Sequence, residues 1–446
     1  MMKVSVKSFH IYIQIFLTLI FISYCIVATA ADDPIDVKND YSTLDNGLRV
    51  LIKRDLKDPM ISLTVSFKFG AAYDIKAKDG YANYTFLVVN RMISKFYQDE
   101  YNAILKDDGA SYQTDFGRDT VSFTTIFSKQ NIDTILKIEA QRMSLQGADP
   151  DEFEAVKRLL MSDFLRRVGH SPGEEIKFNM RGAINNYWEF YHDYRGKEED
   201  IQIARIQDIE RFIKWYYAPS NAVIVIRGPL NKPEILAKIK DTFSPLAKSS
   251  VIPYNTASFS VSMNAIRLNY FNPELEKPAI SFSYRIPPIT HKDFPSNKVL
   301  YQLLFAEKES RLGGYFSASK LLHAYFCELA ESNGPNYMGA LFEIPGTEYY
   351  ESMIDLVNEN LKEIFESKIS DGDFLRAKRR TIALNKESLS YPNYTRTIAK
   401  MLLVFAKPGD INSYFQSFNG LTRKNIIETA KIYLAETNSC IVKSEK

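Results

Sequence analysis

Strands and helices alternate along residues 41–243, and the order partly repeats along residues 278–435. Between the two series lies a polar, proline-containing stretch with no strong period, residues 244–263, and a linker is expected at 246–263. A chain of 446 residues is too long for one ordinary core. Two series of about 200 residues in similar order point to a duplicated α+β unit. The expected domains are 38–245 and 264–446. No sequence identity between the halves is obvious by eye, so the repeat rests on element order.

The first series opens with a turn at Asn46-Gly47 followed by a strand. Residues 61–74 alternate apolar and polar, which predicts a strand with one buried face. Residues 80–96 have helical spacing, and 101–127 read as helix, loop, then a strand from Thr120. Ile132, Ile135, Leu136, Ile138 and Met143 form a helical stripe. Residues 149–168 predict a long amphipathic helix with an acidic first turn and a basic last turn, an order that suits the helix dipole. A helix at 206–217, a strand at 221–228 and a helix at 232–243 close the series. The second series predicts strands at 278–288 and 338–346. Its helices are expected at 297–305, 349–366, 371–389 and 424–435, with a loop and helix through 311–329.

The amino terminus differs from the rest. Lys3 and Lys7 precede an uncharged apolar run, residues 11–27, and "ATAADD" follows. This pattern predicts a secretory signal, residues 1–30, cut before Ala31. The alternative is an uncleaved anchor, for which the run is slightly short of the ~20 residues a span needs. Removing residues 1–30 takes away two lysines and no acid, so the formal charge falls from +2 to 0. A neutral chain has no electrostatic case for nucleic acid or for anionic membrane. The expected compartment is the periplasm, if the source is a diderm bacterium. Cys25 leaves with the signal, and Cys327 and Cys440 remain, either paired or as two free thiols. No nucleophile elbow, triad order or phosphate loop is present.

Five pieces recur in one order and spacing: "LDNGLRVLI", "VSFKFGAAYD" followed by "GYAN", "DDGASYQTDFGRDTVSF", "RFIKWYYAPSNAVIVIRG" and "ESRL" at residues 309–312. Together they resemble the insulinase, pitrilysin and mitochondrial processing peptidase family of zinc metallopeptidases, the inverzincins, over nearly all of the chain after the signal. The resemblance implies two similar α+β domains joined by a linker, each a mostly antiparallel sheet with helices packed on it, forming half of a clamshell.

The family's motif is H-x-x-E-H. Two histidines at i and i+4 hold Zn²⁺ from one helix face, and the glutamate activates the metal-bound water. A glutamate from a later helix completes the set. In this chain "GYANYTFL" places Asn83 and Leu87 at the two histidine positions and Phe86 at the base, and the third ligand position falls on Asp163. Phenylalanine and leucine have no lone pair to give, and an Asn amide is a poor zinc ligand. The remaining histidines, His170, His192, His291 and His323, lie more than five residues apart and read as ordinary surface or loop residues. Gln113 corresponds to a family Asn near the substrate backbone. Tyr325 resembles the tyrosine of a substrate-holding Arg/Tyr pair, but Ala318 stands where its arginine would be. Gln113 and Tyr325 are therefore the peptide-binding candidates.

These readings imply a chain with no catalytic residues, no metal and no cofactor of its own. The expected role is an exported, non-catalytic partner subunit of a zinc-bearing homologue of similar size, helping to form a chamber for unfolded peptides. The alternatives are a zinc endopeptidase with an atypical site and a stand-alone envelope peptide-binding protein.

Overall fold

The computed structural model describes residues 37, 41–167, 181–184, 188–248, 264–273, 275–306, 308–319, 324–405 and 407–446. The expected signal segment, nearly all of the linker, His170 and His323 lie outside the described residues.

Two sheets organise the chain. The first contains β1 (Tyr41–Thr43), β2 (Arg49–Arg54), β3 (Ile61–Phe67), β4 (Ser111–Phe116), β5 (Val121–Phe127) and β6 (Ala222–Gly228), in the order β1-β2-β6-β3-β5-β4. The second contains β7 (Ile266–Phe271), β8 (Ala279–Ile286), β9 (Ala324–Leu329), β10 (Asn336–Glu343) and β11 (Ser439–Glu445), in the order β7-β11-β8-β10-β9. Each sheet is antiparallel except for one pair: β2 runs parallel to β6, and β7 runs parallel to β11. Apart from the extra β1 the two orders are the same, so the duplicated α+β fold is real.

The longer helices of the first half are α1 (Tyr81–Phe96), α2 (Ile132–Met143), α3 (Pro150–Arg167), α4 (Ile206–Tyr216) and α5 (Lys232–Phe243), with short helices at Gln98–Ile104, Trp188–Tyr191 and Glu198–Ile203. Those of the second are α6 (Phe294–Leu304), α7 (Arg311–Ala318), α8 (Tyr350–Phe365), α9 (Asp371–Ser388), α10 (Tyr394–Val404), α11 (Pro408–Gly420) and α12 (Arg423–Tyr433). Helices α1 to α5 cover one face of the first sheet over a continuous apolar core, and the second half repeats the arrangement.

The duplication also leaves a mark in the sequence. "YYAPSN", residues 216–221, and "YLAETN", residues 433–438, each lead into the last strand of a half. Asn221 donates to the carbonyls of Tyr216 (2.9 Å) and Lys68 (3.1 Å). Asn438 donates in the same way to Tyr433 (2.6 Å) and Arg285 (2.8 Å). Both amides satisfy carbonyls that the turn leaves open, which is why the same residue stands at both places.

Several expectations need correction. Strand β3 is buried on both faces, not one. Its apolar residues face the first core, while Ser62, Thr64 and Ser66 form a hydroxyl seam. Ser62 and Thr64 bond Thr395 of α10 at 2.8 and 2.9 Å, Thr64 also bonds Thr124 at 2.9 Å, and Ser66 bonds Ser122 at 2.6 Å. Helix α10, from the second half, thus covers the polar face of the first sheet. The reverse contact is also made: Ile184 packs with Tyr337, Cys440 and Val442 of the second sheet, and Arg285 donates to the Ile184 carbonyl at 2.8 Å. Each half lends a segment to cover the other's sheet.

The loop expected within 109–120 contains the edge strand β4, and the loop and helix expected through 311–329 are α7 followed by the edge strand β9. Helix α6 starts three residues before the expected 297, because Pro295 sits in its first turn, where a missing N–H costs nothing. Strands β7 and β11 and helices α10 and α11 had no counterpart in the sequence reading. Cys327 and Cys440 are both free. They lie on β9 and β11 with β8 and β10 between. Three strand spacings of about 4.8 Å put them about 14 Å apart, about twice the Cα separation a disulfide allows.

Candidate functional site

Helix α1 carries Asn83, Phe86 and Leu87, the residues expected at the metal-motif positions, and its start is held by an unusual set of contacts. Gly80 has φ 88°, a conformation that favours glycine, and a Cβ there would stand 2.5 Å from the Gly196 Cα. The Asp74 carboxylate accepts from the backbone N–H groups of Gly80 (2.7 Å) and Ala82 (2.6 Å), the open donors of the helix start. His192 Nε2 lies 3.0 Å from the same carboxylate, and His192 Nδ1 lies 2.8 Å from the Trp188 carbonyl. Both ring nitrogens face oxygen atoms, an arrangement that favours the imidazolium, while burial raises the Asp74 pKa in opposition to the pair. The Trp188 ring stacks on it with centroids 4.2 Å apart. Burial works against that charge, but the Asp74 hydrogen bond and charge outweigh it and hold the His192 pKa above its ordinary value. His192 was expected on a surface or loop; it is buried in an ion pair that orients α1.

Along α1, Asn83 and Leu87 are half-buried and Phe86 is only 6% exposed. The Phe86 ring lies 5.4 Å from that of Phe116 on β4 and 5.6 Å from that of Phe123 on β5. Leu87 packs on the edge of the first core. The Asn83 side chain makes no hydrogen bond among the described residues. Asp163 is half-buried on α3, which packs against α1. Below these residues the fully buried Arg142 pairs with Glu139 at 2.8 Å and lies 3.7 Å over the Phe123 ring.

A zinc site needs three protein ligands and an open position. Asn83 and Asp163 are the only oxygen donors among the four motif positions, and the base position is a phenyl ring between two others. The residues present do not fit the ion. Among the described residues no other cluster of three or more His, Cys, Asp or Glu side chains could hold a metal.

Gln113 is exposed on β4, the edge of the first sheet, opposite Thr124 of β5. Strand alternation puts Tyr112 and Phe116 on the α1 side, so Gln113 is on the other face from Phe86. Tyr112 confirms the geometry by donating to Asn90 of α1 at 2.7 Å. Tyr325 is on β9, the edge of the second sheet, and its side chain is directed into the second core. It stacks on Phe316 (5.4 Å), packs against Phe342 (5.0 Å) and donates its hydroxyl to the Phe305 carbonyl. Burial raises its pKa. The structure thus gathers Asn83, Phe86 and Leu87 on one helix beside α3, while Gln113 and Tyr325 lie on different sheets. Asp74, Trp188 and His192 were missed by the sequence reading. No local pattern links residues 118 positions apart.

A family model described as "Peptidase M16 inactive domain" matches residues 204–381. The chain is 22% identical over 416 residues to "Zinc protease PqqE" of Helicobacter pylori, covering 91% of this chain and 92% of that one. It is 19% identical over 420 residues to "Probable mitochondrial-processing peptidase subunit beta, mitochondrial" of Arabidopsis thaliana, covering 90% of this chain and 77% of that one. Among solved structures, that of a protease from Helicobacter pylori superposes with a TM-score of 0.79 at 19% identity, over 91% of this chain and 99% of that one.

Proposed function

Because the chain belongs to the insulinase, pitrilysin and mitochondrial processing peptidase family, as an inactive homologue of its zinc proteases, we propose that it serves as the non-catalytic partner of a zinc-bearing homologue. In this reading it is exported to the periplasm and supplies half of a chamber that holds unfolded peptide. The observation that carries the proposal is the packing of Phe86. An apolar ring between Phe116 and Phe123 fills the place of the catalytic base, so the helix keeps its architectural role without its chemistry. Filling that space with apolar groups is less costly than leaving buried polar groups unpaired.

Two further observations support it. Strand β4 pairs only with β5 among the described residues, so its outer edge offers unpaired backbone N–H and C=O groups to an extended peptide. The Arabidopsis relative is named as one subunit of a processing peptidase, as a chain working beside another would be.

The test is affinity purification of the tagged, full-length protein from its own cells, with native mass and metal content read on the eluate. The expected result is a one-to-one complex with a chain of similar size that carries H-x-x-E-H, and about one zinc per pair. A chain that elutes alone and metal-free refutes the partner role and leaves peptide binding by the isolated protein to be sought.

A further inference from the structure

Residues 188–196 form a strap that reaches from the first half to the second, and three groups of contacts hold it. At the start of α1, His192 faces Asp74, and Gly196 packs so closely on Gly80 that neither glycine has room for a Cβ. At the end of β4, Arg118 donates to the Phe190 carbonyl and its guanidinium lies 5.7 Å over the Phe190 ring, while Tyr194 packs on Phe116 at 5.9 Å. In the second half, the buried Phe190 ring lies on Gly334 of the β9–β10 turn, where a Cβ would overlap it. The same turn is tied back to the first half by the Asn333 N–H, which donates to Asp119 at 2.8 Å. One short segment thus joins the motif helix, the edge strand β4 and the second sheet.

The grip of the strap depends on a buried ring that can lose a proton. His192 Nε2 faces Asp74, and Nδ1 faces the Trp188 carbonyl, which also accepts the His192 backbone N–H at 3.0 Å. A doubly protonated ring donates to both oxygens. A neutral ring has one N–H, so one of the two contacts sets a lone pair against a lone pair. The charged and titratable groups around the ring divide in their effect. Asp74 and Asp79 favour its cationic form, and burial opposes it. Burial also raises the pKa of Asp74, whose carboxylate accepts from Gly80 and Ala82. Asp79 pairs with Lys197 at 3.3 Å, and on the strap itself Asp193 and Arg195 neutralise each other at 2.8 Å. Tyr216 of α4 lies near Asp74 with its pKa pushed up to about 12, so its hydroxyl stays neutral.

We propose that the strap is a proton-dependent latch: with His192 charged it clasps the start of α1, the end of β4 and the β9–β10 turn together, and loss of the ring proton loosens all three. The latch is a property of this chain alone and does not depend on the partner role argued above.

Trp188, stacked on the ring at 4.2 Å, supplies the readout. The chain has two tryptophans, so Trp215→Phe leaves Trp188 as the sole emitter. An imidazolium quenches a stacked indole by accepting an excited-state electron, and a neutral ring does so far less. Emission of the full-length Trp215→Phe protein, followed from pH 5 to pH 10, should rise in one step with its midpoint above about 6.5. His192→Gln should abolish the step, and Asp74→Asn should lower its midpoint by about one to three pH units. Gly334→Ala, which pushes on Phe190 from the other half, should lower the midpoint as well, because the two ends of the latch share one equilibrium. Amide hydrogen exchange reads the loosening. Protection at residues 80–82 and 188–196, with the intrinsic pH dependence of exchange divided out, should fall about tenfold across the step, the size of one charge-assisted hydrogen bond, while β5 stays unchanged. The proposal is overturned if Trp188 emission is flat over this range, if the step survives in His192→Gln, or if it passes with no loss of protection in the strap. A Gly334→Ala protein that titrates at the parent midpoint overturns the link to the second half. The emission and exchange profiles of the Trp215→Phe protein can refute the latch by themselves, whether or not the other variants fold.

Discussion

Phe86 offers the sharpest check on the idea that packing has replaced chemistry in α1. The side chain is 6% exposed and meets two aromatic rings within 6 Å. Truncating a buried phenylalanine to alanine costs about 3–5 kcal/mol, from lost transfer energy and the cavity left behind. Each aromatic pair is worth a further ~0.5–1.5 kcal/mol beyond area. Strands β4 and β5 and helix α1 are anchored by several other contacts, so the site should collapse only in part, and Phe86→Ala is expected to destabilise by about 4 kcal/mol. Leu87→Ala, one residue on but half-buried, should cost about 1–2 kcal/mol. Phe86→Glu should cost more than alanine, because it puts a carboxylate among aromatic rings with no partner. Urea unfolding followed by far-UV circular dichroism and by fluorescence gives the three values, provided the two probes coincide. A Phe86→Ala midpoint within about 1 kcal/mol of the parent, or a glutamate variant as stable as the parent, would refute the reasoning.

Two more outcomes follow from the same geometry. The His192 pKa is raised above its unfolded value of about 6.5, so the pair with Asp74 stabilises fully below that pH and less as pH rises through the folded value. The stability gap between the parent and His192→Gln should therefore shrink from pH 6 towards pH 9, and a gap that widens with pH would contradict the imidazolium assignment. In the seam between the halves, Thr395→Val leaves Ser62 without its 2.8 Å partner and should cost about 1–3 kcal/mol in urea unfolding, whereas Thr395→Ser, which keeps the hydroxyl, should cost less.

The elements legible in the sequence were those whose signal is local. Residues 132–143, 206–216 and 232–243 carry an apolar stripe at helical spacing, and their helices fall within a residue or so of expectation. The lack of donor atoms at Phe86 and Leu87 was equally legible, because a side chain's lone pairs do not depend on where it is placed. Strands β4 and β9 were not legible. Both are edge strands flanked by turn residues, with few fully buried side chains, so their pattern resembles a loop until a neighbour pairs with them.

By itself, then, the sequence determined the α+β class and the two-part order, since these follow from periodicity. Only the tertiary structure decided what covers β3, where Tyr325 points and what holds the start of α1. Ser62 and Thr64 read as a solvent face until α10, more than 330 residues away, brings Thr395 onto them. His192 reads as an ordinary histidine until the fold sets it against Asp74. Even the repeated Tyr-x-Ala-x-Ser/Thr-Asn turn carries meaning only once both asparagines are seen closing the same carbonyls. Periodicity reports which face of an element is apolar; it does not report which distant segment arrives to satisfy the polar one.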